Sequence, residues 1–389
     1  MQITNKIYVY LLIALTTGSL CTLQVAAQDS ITTSVTLSSS GNIQSTPTSN
    51  FIIKAADTAL DTICPSAASY EANWSSTLSG LGVNTLRLQE GGEGDVWGIN
   101  MINNPNTWAV NLENLLNEIG NASFRCYFYS LGDPWGGELG INDQAANISA
   151  TISVTQAESY INELAGNNSL NHDFITDPRI ALWSVGNEVN FGSSSDPNSN
   201  YYWVIQICDY IRSLGGLVDV PSPIVNGQYC TGESLLTGHV DFLEIHQYGL
   251  YQLATQYALG NNQYNWTAWE SWLQSDLAAS VTNLGPFDIN HVILGEFGMW
   301  LGTGSDQGLT NYTFTDQNRV DYYTNFFQAV NAVGFENVCF HYSIEENSQY
   351  GKPEYCRYGM ITPVPDGIHF TAPGGQLDPG CEVIEANFG

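Results

Sequence analysis

The sequence predicts an α/β chain folded as a single (β/α)8 barrel, preceded by a short N-terminal β-hairpin. Three observations lead there. Strand-like and helix-like stretches alternate from residue 51 to the end, with eight strand candidates and no split into halves. Two of the strands, Ile180–Val185 and Val292–Gly295, are continuous apolar runs, as expected of parallel strands covered on both faces. Finally, no Gly-rich dinucleotide loop follows the first strand, which argues against a doubly wound open sheet, the alternative for this pattern.

In chain order, residues 1–27 carry Lys6, a mostly apolar run and small residues ending at Ala27, the pattern of a secretory signal peptide. The apolar run is short for a membrane anchor. The expected product is a secreted, extracellular protein. Residues 28–50 are Ser/Thr-rich, with Ile31, Val35 and Leu37 on one alternating face and Ile43 beyond a polar turn, so a hairpin and linker are expected. The barrel domain then takes residues 51–389.

Its strand candidates are Phe51–Ala55, Asn84–Leu88, Phe124–Tyr129, Ile180–Val185, Ile224–Asn226, Phe242–His246, Val292–Gly295 and Val338–Ser343. Helices between them are marked by apolar residues every three or four positions: Ser66–Leu81, Pro105–Ile119, Thr155–Ala165, Asn200–Leu214, Trp266–Leu284 and Thr315–Val333. Shorter signals at Glu233–Leu236 and Cys381–Asn387 complete the set.

Composition narrows the partners. The chain has 9 basic residues against 38 acidic ones, a net charge of −29. Nucleic acids and anionic membranes need basic patches, so both are excluded as partners. A neutral polysaccharide or oligosaccharide is compatible, and a monomer is expected. Cys208 with Cys230, and Cys356 with Cys381, are the disulfides secretion would permit, while Cys126 and Cys339 fall in core strands. No His/Cys set has metal-ligand spacing, and no cofactor is implied.

The chemistry sits at strand ends. Gly186-Asn187-Glu188 closes the fourth strand and Gly295-Glu296-Phe297-Gly298 the seventh. Two carboxylates delivered to one end of a parallel barrel form an arrangement that can cut glycosidic bonds. Glu296 would attack the anomeric carbon while ionised, helped by Arg87 and the Tyr248 hydroxyl, since a nearby cation or donor lowers a carboxylate's pKa. Glu188 would protonate the leaving oxygen and then act as base on water. Asn187 would donate to the sugar 2-hydroxyl, and His246 would orient Glu188 or bind a sugar hydroxyl. A single buried glutamate at a strand end is more often an ion-pair partner; two matched motifs in this order favour catalysis.

These motifs resemble the signatures of the retaining glycoside hydrolases of clan A, most closely glycoside hydrolase family 5. Arg87 near the end of strand two, His246 and Tyr248 on strand six, and Asn187 before the acid/base are similar to that family's residues. The resemblance implies cellulase or β-mannanase activity by double displacement, with endo-β-1,4-glucanase first and β-mannanase second. A transglycosylase or exo-β-glycosidase on the same barrel is the alternative, and a non-catalytic carbohydrate-binding surface protein the rival of another class. Strand three lacks the family's histidine, and strand eight offers His341 or Tyr342 where the family places a tryptophan. Aromatic residues in strand-end loops (Trp97, Trp108, Trp135, Tyr251 and Trp300) are candidates for stacking on sugar rings. Trp203, Trp266, Trp269 and Trp272 read as core. Asp133-Pro134-Trp135-Gly136-Gly137 is similar to a loop of family β-mannanases.

Overall fold

The computed structural model describes residues 49–58, 74–89, 104–129, 152–191, 199–225, 233–282, 289–300, 312–341 and 380–389. It also describes the short pieces 35–37, 43–45, 63, 101, 228–229, 287, 302–303, 309, 361–362 and 376–377. The expected leader lies outside the described residues. Everything below belongs to the compact unit Ile31–Gly389.

Eight parallel strands form the barrel: β1 Lys54–Thr58, β2 Thr85–Gln89, β3 Arg125–Tyr129, β4 Ile180–Ser184, β5 Val218–Asp219, β6 Leu243–His246, β7 Val292–Glu296 and β8 Asn337–Phe340. They run in the order β6-β7-β8-β1-β2-β3-β4-β5. The remaining seam closes through main-chain bonds: Asp241 N–H donates to the Val218 carbonyl and Ser222 N–H to the Glu244 carbonyl, each at 2.9 Å. Around the strands stand α1 Trp74–Gly80, α2 Trp108–Asn121, α3 Val154–Leu164, α4 Asn200–Ser213, α5 Glu233–Leu236, α6 Trp266–Thr282, α7 Asp316–Val333 and α8 Gly380–Phe388. Local chemistry sets several helix ends. Ser153 with Gln156, and Thr315 with Asn318, form reciprocal capping boxes at the starts of α3 and α7. Gly334, at φ +97°, ends α7 in the left-handed conformation.

Strand five differs from the sequence expectation. Ile224–Val225 pairs antiparallel with Gln228–Tyr229 in a small hairpin, and the barrel strand is Val218–Asp219. The apolar, β-branched pair Ile-Val is the stronger local signal, yet Pro221 and Pro223 interrupt the chain just before it. The two-residue strand is held by its neighbours, with Trp183 opposite Val218 and Ser184 opposite Asp219. At the N-terminal side, Val35–Leu37, Ile43–Ser45 and Ser49–Asn50 form a three-stranded antiparallel sheet, so part of the expected linker is itself a strand. Cys208 is a buried thiol in α4 and takes no part in the expected bridge to Cys230, which lies outside the described residues, as does Cys356. The described residues contain no helix long and apolar enough to cross a membrane.

The barrel interior is layered, because successive inward-facing residues of a strand are two apart. Its lower layer is apolar: Ile53, Ala55, Tyr127, Leu182, Phe242, Ile293 and Cys339 pack together, with Leu217 against them. Stepping two residues along these strands gives Asp57, Ser184, Asp219, Glu244, Gly295 and His341. Thr85 is likewise followed by Arg87. The next layer is therefore polar and charged, and nearly all of it is shielded from water. Main-chain geometry thus places a set of ionisable groups at the carboxyl ends of the strands, the end where barrels of this type carry their sites.

Candidate active site

Arg87 is the hub of this layer. It is fully buried and reaches three carboxylates: Nη1 lies 3.1 Å from Asp57 Oδ2 and 2.8 Å from Glu296 Oε1, and Nη2 lies 3.0 Å from Glu244 Oε1. Asp57 arrives from β1, directly opposite Arg87 in strand register. A fourth contact, Arg87 Nη2 to Asn187 Oδ1 at 2.9 Å, orients the amide ahead of Glu188. Burial disfavours the charged guanidinium, but the charges of Glu244, Glu296 and Asp57 outweigh it and hold the pKa well above the usual arginine value.

Glu296 ends β7 and is only 7% exposed. The Tyr248 hydroxyl donates to its Oε2 at 2.7 Å, His246 Nδ1 lies 3.5 Å away and His341 Nδ1 3.7 Å. Burial alone would push this carboxyl up. The positive charges of His246, Arg87 and His341, with the Tyr248 hydrogen bond, win and bring it down to about 2. The carboxylate is ionised and held on both oxygens, which suits a nucleophile.

Glu188 is reached through a strained turn. Gly186 has φ +78°, and a side chain there would meet the Val189 methyl at 2.2 Å, so only glycine fits. Glu188 itself has φ +52°, a left-handed conformation that costs a non-glycine residue roughly 1–3 kcal/mol. Its backbone N–H donates to the Pro221 carbonyl at 2.9 Å, which fixes the turn across the barrel rim. From this turn the side chain reaches His246, whose Nδ1 stands 2.9 Å from Glu188 Oε1. Oxygens of Glu188 and Glu296 and a ring nitrogen of His246 all lie within 4.8 Å of one another. Retaining pairs of carboxyl groups are separated by about 5–5.5 Å, a spacing with which this approach of the two side chains is compatible.

His246 is the second positive centre. Its Nε2 lies 3.1 Å from Glu244 Oε1, so the ring is bracketed by carboxylates on both nitrogens. Burial lowers its pKa, but Glu296, Glu188 and Glu244 together raise it to about 10. Gly295 is explained by the same group: a β-carbon there would lie 1.9 Å from Glu244 Oε1. Glu244 therefore occupies the space that the glycine before Glu296 leaves open.

Of the sequence candidates, Glu188, Glu296, Arg87, Asn187, His246 and Tyr248 are brought together. Trp300 is not a sugar platform: it is 1% exposed and packs edge-on against Phe314 with ring centroids 5.0 Å apart. Trp108 is likewise buried as the first residue of α2, against Phe174. Tyr251 stands 52% exposed on the short helix that follows β6. Trp97, Trp135 and Tyr342 lie outside the described residues. Trp203 and Trp269 are core, and Trp266 and Trp272 pack against it.

Sequence reasoning missed Asp57, Glu244 and Asp219 and treated His341 only as a possible sugar contact. A signal existed in Glu244, two positions before His246 and therefore on the same face of one strand. His341 Nδ1 binds Asp57 Oδ2 at 3.0 Å and its ring packs edge-on against Tyr248. Among the described residues, three His/carboxylate sets have metal-like spacing: Asp57 with Glu296 and His341, Glu188 with His246 and Glu296, and Glu113 with His172 and Asp177. In each, a guanidinium already neutralises carboxylates, Arg87 in the first two and Arg179 in the third. Their chemistry is that of ion-pair networks.

No protein-family model matches the chain, and no curated protein matches it. Solved structures do. The endo-1,4-β-D-mannanase of Thermotoga petrophila RKU-1 is similar over 87% of this chain and 99% of its own, with 16% identity and a TM-score of 0.55. A glycoside hydrolase family 5 mannosidase from Rhizomucor miehei is similar over 91% and 96%, with 13% identity and a TM-score of 0.59. A β-glucuronidase of Faecalibacterium prausnitzii matches 92% of this chain but only 51% of its own, at 12% identity and a TM-score of 0.57. These likenesses show the fold: a (β/α)8 barrel shared with those glycoside hydrolases.

Proposed function

We propose that the protein is a secreted retaining β-glycosidase acting on β-1,4-linked polysaccharide. One observation carries the reading: an ionised Glu296, clamped by Arg87 and Tyr248, comes close to Glu188, with an oxygen of each within 4.8 Å of the other, which suits double displacement. In the first step Glu296 attacks the anomeric carbon while Glu188 delivers a proton to the leaving oxygen. In the second, Glu188 takes a proton from water, which releases the sugar from Glu296. Asn187 accepts from Arg87 through its Oδ1, so its Nδ2 is the end that donates to the sugar 2-hydroxyl.

Between the two expected polymers, β-1,4-mannan now stands at least level with β-1,4-glucan, because similar solved structures carry mannanase and mannosidase names. The test is reducing-sugar release with product sizing on mannan, carboxymethyl cellulose, barley β-glucan, xylan and laminarin. Mixed oligosaccharides released early from mannan or a cellulosic substrate support endo cleavage; single sugars or disaccharides alone support the exo alternative. Binding without release from any polymer would favour the non-catalytic carbohydrate-binding reading.

A further inference from the structure

Two buried carboxyl groups, Glu244 and Asp219, have no place in the two-step chemistry above. Both are fully buried, on adjoining strands β6 and β5 at the barrel seam. Buried carboxylates are costly unless paired or neutralised, so their presence beneath the site needs an account. Glu244 Oε1 is shared by two donors, Arg87 at 3.0 Å and His246 Nε2 at 3.1 Å. Asp219 lies opposite Ser184 in strand register, with Glu244 its main charged neighbour.

We propose that Glu244 is a positioning residue for the acid/base: it accepts the His246 Nε2 proton, which turns the Nδ1 proton towards Glu188. This rests on the glycosidase reading and deepens it. The result is a line of groups, Glu244–His246–Glu188, running from the barrel core to the catalytic rim. A proton passing from His246 Nδ1 to Glu188 Oε1 leaves a neutral ring that still donates from Nε2 to Glu244. Glu188 then hands that proton to the leaving oxygen, and the proton it later takes from water returns to Nδ1. No proton is gained or lost over the cycle.

The electrostatics fit this assignment. Burial and the neighbouring charge of Glu244 push the Asp219 carboxyl well above the usual carboxylate range. Burial would raise Glu244 too, but Arg87 and His246 keep it below its ordinary value and therefore charged. The titratable groups facing this line are Asp57, Arg87, Tyr127, Asp219, Tyr248, Glu296, Cys339 and His341, from β1, β2, β3, β5, the loop after β6, β7, β8 and the residue after β8.

The test is Glu244→Gln, which keeps size and shape against Gly295. Phenyl and 2,4-dinitrophenyl β-glycosides of the sugar that wild type cleaves separate two roles, because only the phenyl leaving group needs a proton. The variant should lose about tenfold or more in kcat/KM on the phenyl glycoside and less than about threefold on the dinitrophenyl one. The alkaline limb of the phenyl profile should move down by about one pH unit or more, since removing a negative charge weakens the imidazolium. Equal losses on both substrates with an unmoved limb would show Glu244 acting through Arg87 on the nucleophile, and would overturn the proposal. A second readout needs no activity: 15N-histidine NMR of His246. Wild type should carry both ring protons through neutral pH, and Glu244→Gln should lower the titration midpoint. A neutral His246 in wild type at pH 7, or an unchanged midpoint, would overturn the proposal. Wild type inert on every glycoside would instead refute the glycosidase reading, leaving the NMR result to decide the Glu244–His246 pairing.

Discussion

The Tyr248 hydroxyl donates to Glu296 Oε2 at 2.7 Å, and the opposite oxygen is held by Arg87 at 2.8 Å. One donor is a neutral hydroxyl that can be removed without unbalancing the buried charges. The other is a guanidinium on which three carboxylates depend. Tyr248 is also held from behind, because the Tyr322 hydroxyl donates to its carbonyl at 2.8 Å.

Tyr248→Phe should therefore cut turnover while sparing the fold. A hydrogen bond to a charged acceptor contributes about 1.5–3 kcal/mol, or roughly 10- to 160-fold in rate. Steady-state kinetics beside a thermal melt check this. A melt as depressed as the rate would mean the hydroxyl is chiefly structural.

Glu188→Ala should lose activity on polysaccharide and on phenyl glycosides but keep measurable turnover of dinitrophenyl glycosides. Azide should accelerate that turnover and yield a β-glycosyl azide, since a small anion can occupy the vacated space and attack the glycosyl-enzyme. Gas chromatography or NMR of the product identifies it. An α-azide would contradict retention through Glu296.

Gly295→Ala tests the packing that joins the two strands. The added methyl would sit 1.9 Å from Glu244 Oε1 unless the barrel shifts. Overpacking of this kind costs about 1–3 kcal/mol, occasionally more. A lowered unfolding midpoint together with lost activity is expected; a stability equal to wild type would show that the Glu244 carboxylate relocates freely.

His246 gives a pH dependence with a definite sign. Its folded-state pKa lies above the ordinary 6.5, at about 10. Its contribution to stability is complete below about pH 6.5 and is lost as pH rises through about 10. Glu296, brought down to about 2, acts in the opposite sense, contributing above its ordinary 4.5 and losing that contribution as pH falls towards 2. Thermal melts from pH 6 to 10 should show a falling midpoint, and His246→Asn should flatten the fall.

Much of this architecture was legible in the sequence because barrel strands and helices advertise themselves locally. The apolar runs before Glu188 and Glu296 need both faces covered, which only a parallel sheet under helices provides. Strand five was misplaced because a two-residue strand carries almost no local signal; Val218–Asp219 is held by its neighbours β4 and β6 across the closed seam. The buried acids were hidden for a related reason. Asp57 and Glu244 look costly within their own strands, and the residue that makes them tolerable, Arg87, comes from β2. Only barrel closure brings them together. Trp300 misled in the other direction: a loop position after a strand suggested exposure, whereas Phe314 covers the ring.

The most direct test of the central claim is covalent trapping. The protein would be incubated with 2,4-dinitrophenyl 2-deoxy-2-fluoro glycosides of cellobiose and mannobiose, then digested and sequenced by mass spectrometry. The account predicts stoichiometric release of dinitrophenol and a fluoroglycosyl group on Glu296, absent in Glu296→Ala. An adduct on another residue, or turnover of normal substrates with inverted products and no adduct, would contradict it.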